Sequence, residues 1–156
     1  MVNLQHQDRP ESYPILQIRP PRIIIVDNDD VFCKEISRTF GKLGFNYRIY
    51  QHIDDIMPMA NEFDPDLVMM EYLLPSLAGG ELCTQLRKKR YTAEIPVILY
   101  SSFPGKLLPL GAYGCDAYLQ KPFAMHSLLR LVNGLLKNYS LLRQHSPTLP
   151  SGSNLN

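Results

Sequence analysis

A chain of 156 residues holds one domain with a real core plus short tails, and an apolar fraction of 45% is that of an ordinary soluble globular protein. Sixteen basic against fifteen acidic residues leave a net charge of +1, which favours neither nucleic acid nor an anionic membrane surface as a partner. Three scattered cysteines, Cys33, Cys83 and Cys115, with no CxxC spacing, argue against a disulfide framework or a zinc site and for a reducing cytoplasm.

Residues 1–20 are polar and carry Pro10, Pro14 and Pro20, which predicts an N-terminal arm; they lack the apolar stretch of a signal peptide. The run RIIIV (22–26) predicts a strand buried on both faces. Asp29 and Asp30 can cap a following helix that carries Val31, Phe32, Ile36, Phe40 and Leu43, with Gly44 ending it. A short strand is expected near YRIY (47–50), then a weak helix around 53–62 that contains Pro58. DLVMM (66–70) predicts a second buried strand that places Glu71 at the start of the next loop. Gly79 and Gly80 precede a helix with Leu82, Cys83 and Leu86 on one side. Its basic end, RKKR (87–90), complements the helix dipole and is expected to stay solvated rather than to bind nucleic acid. IPVILY (95–100) and AYLQ (117–120) predict two more strands. A last helix begins near Met125, with the stripe Leu128, Leu131, Val132, Leu135 and Leu136. The tail 145–156, HSPTLPSGSNLN, has the composition of a disordered segment. No run approaches the roughly 18 apolar residues of a membrane helix.

Five short strands alternating with helices predict a doubly wound parallel α/β sheet in one domain, spanning 21–144. In such sheets ligands sit beyond the carboxyl ends of the strands, beside the point where strand order reverses. The residues just past those ends are Asp27, Asn28, Asp29 and Asp30, then Glu71, then Ser101 and Ser102, then Lys121 with Pro122 and Phe123. Clustered oxygen ligands suit a hard cation such as magnesium, and a hydroxyl with an ammonium suits phosphoryl oxygens. Singly, these residues have plainer readings: a helix cap and turn for Asp27 and Asn28, turn chemistry for Ser101, a half-buried strand tyrosine for Tyr118, and an ion pair with Lys121 for Glu71.

Over residues 22–138 the chain resembles the receiver domain of bacterial response regulators, through IIIVDNDD, PDLVMMEYLLPSLAGGEL, IPVILYSS and GCDAYLQKPF in that order. The resemblance implies a flavodoxin-like (CheY-like) five-stranded sheet and a phosphoryl group taken from a histidine kinase onto an aspartate. It puts Asp27 and Asn28 at the acidic pair that holds magnesium, Glu71 at the phosphoacceptor, Ser101 and Lys121 at phosphate-contact positions, and Tyr118 at the switching aromatic. The chain departs from the pattern at Asn28, which replaces an acid, and at Glu71, which replaces the aspartate. Glutamate carries its carboxylate ~1.5 Å further out, and a misplacement of ~1 Å can cost ~100-fold in transfer. With one charge fewer, Asp27, Asn28 and Glu71 should bind Mg2+ weakly or not at all, and no other cofactor is implied. The segment 103–113 carries Pro104 and Pro109, which leaves little room for a full fourth helix.

These readings converge on an atypical stand-alone receiver that is not an enzyme. It signals through protein–protein contact independently of phosphorylation, its partner being a histidine kinase, a downstream target or a second copy of the chain. Tyr118, Leu128, Leu135, Tyr139 and Leu142 would form the contact, because the apolar stripe of the last helix runs past the expected domain edge. One alternative is a phosphorylatable single-domain regulator in a phosphorelay. Another is a nucleotide- or flavin-binding protein, against which stands the acidic DNDD where a Gly-rich phosphate loop would be needed.

Overall fold

The computed structural model describes residues 19–145. The arm expected over 1–20 and the tail expected over 145–156 lie outside the described residues except for Arg19, Pro20 and His145. Five strands, β1 (Arg22–Val26), β2 (Asn46–Tyr50), β3 (Leu67–Glu71), β4 (Val97–Ser101) and β5 (Ala117–Gln120), form one parallel sheet in the order β2-β1-β3-β4-β5. The helices are α1 (Asp30–Lys42), α2 (Met57–Phe63), α3 (Gly79–Arg87), α4 (Leu110–Tyr113) and α5 (Met125–His145).

The three apolar runs become β1, β3 and β4 because both faces of each are covered. Ile23, Ile25, Leu67, Met69, Ile98 and Tyr100 join the core on one face, with Ile36 and Phe40 of α1 and Leu128 and Val132 of α5. Ile24, Val26, Val68, Met70, Val97 and Leu99 join the core on the other, with Ala60 and Phe63 of α2 and Leu82, Cys83 and Leu86 of α3. Each fully buried Ile, Leu or Met contributes about 1.5–3 kcal/mol, so these central strands dominate the stability.

Several expectations shift. α1 starts as expected, with the Asp29 carboxylate accepting the amides of Val31 and Phe32. Its buried face, however, is Cys33, Ile36 and Phe40. Val31 is 76% exposed because it lies on the far side of that stripe, and Leu43 is 51% exposed because it is the cap residue beyond the last turn. Pro58 does not break the second helix. It sits in the first turn, where its missing N–H costs nothing, and the helix starts later than expected, at Met57. Glu71 is the last residue of β3 and is buried, not a loop residue. Gly79 and Gly80 open α3 instead of preceding it. At its end Arg87 is not simply solvated: its guanidinium donates to Gly114 O, Ile95 O and Asp116 Oδ2 at 2.8–2.9 Å. As the prolines require, segment 103–113 folds into a 3-10 turn (Gly105–Leu107) and the single turn of α4.

α5 has 21 residues and runs past the sheet. Near its end Tyr139 joins the α2/α3-side core, and Arg143 pairs with Asp64 and Asp66 at the amino edge of β3, 3.4–3.7 Å away. Arg19 reaches the same Asp66 at 2.6 Å, and the Arg22 amide donates to it at 2.8 Å. Leu128 and Tyr139, expected on an exposed contact stripe, are therefore buried inside the chain. α5 uses its extra length to close the lower edge of the sheet. Leu135 is half-buried and Leu142 is exposed.

Candidate functional site at the carboxyl edge of the sheet

Strand order reverses between β1 and β3, and the residues at that reversal, Asp27 and Glu71, are both buried. A tight approach fixes the end of β3. A methyl group on Gly79 would lie 2.4 Å from the carbonyl oxygen of Glu71, so only glycine lets α3 begin there. The Gly79 amide donates to Tyr72 O at 2.9 Å, and the Tyr72 amide to Tyr100 O at 2.8 Å, tying the loop to the neighbouring strand. Lys121 is delivered from the next strand, its amide donating to Ser101 O at 2.8 Å, ahead of a cis Lys121–Pro122 bond.

The side chains then meet. Lys121 Nζ lies 2.9 Å from Glu71 Oε2 and 3.5 Å from Asp27 Oδ2. Glu71 Oε1 accepts the Leu73 amide at 3.0 Å, so both oxygens of the glutamate are engaged. Asp27 Oδ1 accepts the Asp29 amide at 2.8 Å. The ammonium also sits 4.7 Å from the ring centre of Phe32 and 5.0 Å from that of Tyr100, within cation–π range of both faces. Phe123 packs at 6.0 Å from each of these rings. Burial alone would lower the Lys121 pKa; the hydrogen bond to Glu71 and the charge of Asp27 outweigh it and hold the ammonium above its ordinary value. The same carboxylates act on their neighbours. Burial first, then Asp27, pushes the Cys33 thiol up to about 11 and the Tyr100 phenol well above its usual range.

Of the residues expected at the rim, Asp27, Glu71 and Lys121 come together. Asn28 faces solvent. Ser101 is fully buried, and its hydroxyl and that of Tyr100 have no hydrogen-bond partner among the described residues. Tyr118 is half-buried, its hydroxyl donating to the Phe103 carbonyl. Sequence reasoning overlooked Phe32, Tyr100 and the pair Tyr72–Tyr113, whose hydroxyls meet at 3.1 Å between the β3–α3 loop and α4. A signal for Tyr100 was present: it is the β4 residue in register with Glu71.

A divalent cation fits this donor set poorly. Asp29 Oδ1 is spent on the α1 cap and Asp30 Oδ1 on Gln51 at 2.8 Å. Glu71 and Asp27 share an ammonium, and no group of three His, Cys, Asp or Glu among the described residues could hold a metal ion. Beside the rim a cleft of about 400 Å³ opens between α1 and the β5–α5 loop, lined by Phe32, Phe123 and Met125 with Glu35 and Lys121.

Comparison with known proteins agrees with the fold. The response regulator receiver domain family matches residues 23–133. The chain is 32% identical over 139 residues to the DNA-binding dual master transcriptional regulator RpaA of a Synechocystis strain, covering 85% of this chain and 57% of that protein. It is 31% identical over 135 residues to the probable transcriptional regulator ycf29 of Porphyra purpurea, covering 82% and 65%. It thus spans little more than half to two thirds of these relatives. Among solved structures, the signal receiver domain of a Syntrophus aciditrophicus histidine kinase superposes with a TM-score of 0.71 at 24% identity, covering 84% of this chain and 99% of that one. The receiver domain of a Pseudomonas aeruginosa sensor histidine kinase, which holds magnesium in its active site cleft, gives 0.65 at 21%, covering 76% and 99%. With the family match running from Ile23 in β1 to Asn133 in α5, across every strand of the sheet, the chain belongs to the receiver-domain family of two-component response regulators.

Proposed function

We propose that this receiver signals through protein–protein contact without accepting a phosphoryl group on Glu71. The observation that carries the reading is the engagement of that carboxylate: Oε2 is held by Lys121 at 2.9 Å and Oε1 by the Leu73 amide at 3.0 Å. A carboxylate fixed at both oxygens is a poor nucleophile, and its reach differs from that of an aspartate by a methylene. Exposed apolar side chains flank the rim on neighbouring loops, Leu73 at 54%, Phe103 at 39% and Leu107 at 65%, and support contact with a protein partner such as a kinase or a downstream target. A homodimer through α5 would draw on Leu135 and Leu142, with Tyr118 nearby on β5, since Leu128 and Tyr139 lie in the core. Incubation with acetyl phosphate and magnesium, read by intact mass, should give no phosphoryl adduct. A stoichiometric, hydroxylamine-labile adduct on Glu71 would overturn the reading.

The relatives favour a second reading. RpaA is described as DNA-binding, and 85% of this chain aligns to it. A receiver that passes phosphorylation to a DNA-binding segment would show the adduct just described.

A further inference from the structure

We propose that Lys121 is the resident cation of this rim, locked in place by the chain itself, so that the native protein does not respond to magnesium. The proposal deepens the phosphorylation-independent reading, which rests on the same rim. Its ground is the way four groups converge on one ammonium. Two carboxylates stand 2.9 and 3.5 Å away. Two aromatic faces stand 4.7 and 5.0 Å away. The backbone of Lys121 is anchored by its amide's bond to Ser101 O at 2.8 Å, and Phe123, two residues on, packs against both rings.

A divalent ion drawn to Asp27 and Glu71 would compete with this ammonium for the same two carboxylates. Its remaining oxygen ligands would come from a set in which Asn28 faces solvent and Asp29 Oδ1 and Asp30 Oδ1 already accept hydrogen bonds. The displaced lysine would also give up its contacts with Phe32 and Tyr100. Both rings belong to the core on the α1/α5 face of the sheet, and both also face the ammonium. Their joint effect is to hold a lysine over the carboxylates.

The test is a magnesium titration of the full chain, read by thermal unfolding in chelator and in millimolar magnesium at matched ionic strength, and by backbone amide NMR. The native chain should keep its midpoint, and the amides of Asp27, Glu71 and Leu73 should not shift. Lys121→Ala should unfold at lower temperature in chelator, recover part of the loss in magnesium, and bind the ion at least about tenfold more tightly than the native chain. Phe32→Leu keeps the charge but opens one side of the clamp, and should give an intermediate magnesium response; it serves as the reporter if Lys121→Ala does not fold. Saturable amide shifts at Asp27 and Glu71 of the native chain, or variants as indifferent to magnesium as the native chain, would overturn the proposal. A phosphoryl adduct on a native chain whose midpoint ignores magnesium would instead refute the phosphorylation-independent reading and leave the resident cation standing.

Discussion

Removing the two ends of the Lys121–Glu71 pair should have unequal effects, and the structure says which is larger. At 2.9 Å, an effective dielectric of about 20 gives an attraction of about 6 kcal/mol, and bulk water about 1.4. The second contact, Asp27 at 3.5 Å, gives about 5 kcal/mol on the same scale. Desolvation offsets most of this, because the side chains of Asp27, Glu71 and Lys121 are only 1%, 10% and 23% exposed. Glu71→Gln leaves Lys121 still paired with Asp27, so it should cost about 1–2 kcal/mol. Lys121→Met strips the counter-charge from two buried carboxylates at once and should cost about 3–4 kcal/mol. Urea unfolding of both variants and the double variant, with the slope checked for constancy, measures all three terms and a coupling of about 1 kcal/mol or more. Coupling within error of zero, or a Glu71→Gln loss equal to that of Lys121→Met, would refute the reasoning.

Asp66→Asn should loosen the ties to Arg19 and Arg143 and weaken the acceptor for the Arg22 amide, costing about 1–2 kcal/mol; hydrogen exchange should speed up at residues 139–143, and unchanged protection there would contradict the role assigned to this carboxylate. The Tyr113 phenol is pushed up to about 12, first by its hydrogen bond with Tyr72 and then by burial. A pKa raised in the folded state means stability that is complete below the unfolded value of about 10 and lost as pH climbs through about 12. Tyr72→Phe should therefore move one tyrosine ionisation to lower pH in an ultraviolet titration; an unmoved titration curve would refute the assignment. Burial raises the Cys33 and Cys83 thiols to about 11 and 12; at pH 8 a disulfide reagent should modify half-buried Cys115 first and reach the other two only in denaturant.

The sheet was legible because β1, β3 and β4 are continuous apolar runs, and only strands covered on both faces tolerate such runs. The Glu71–Lys121 contact was legible for a related reason: parallel strands put their carboxyl ends on one edge, so residues at those ends line a single rim, where opposite charges can meet. What escaped depends on where elements pass each other. The stripe on α5 shows that the helix is amphipathic, not that its last turns fold over the amino edge of β3 and bury Tyr139. Membership of α1 does not by itself bury Val31, whose angle to Ile36 and Phe40 sets it on the solvent side. Phe32 and Tyr100 read as plain core residues, which they are. Their second role, facing an ammonium, arises only when α1, β4 and the β5–α5 loop come together.

The Lys121 ammonium itself offers the most direct test. Its ¹⁵N–¹H signal can be followed by NMR in the folded protein while magnesium and acetyl phosphate are added together. A lysine held by Glu71, Asp27 and two rings should show a slowly exchanging Nζ resonance at neutral pH that neither addition moves. A resonance that broadens into solvent exchange, or shifts saturably as the two are added, would contradict the account.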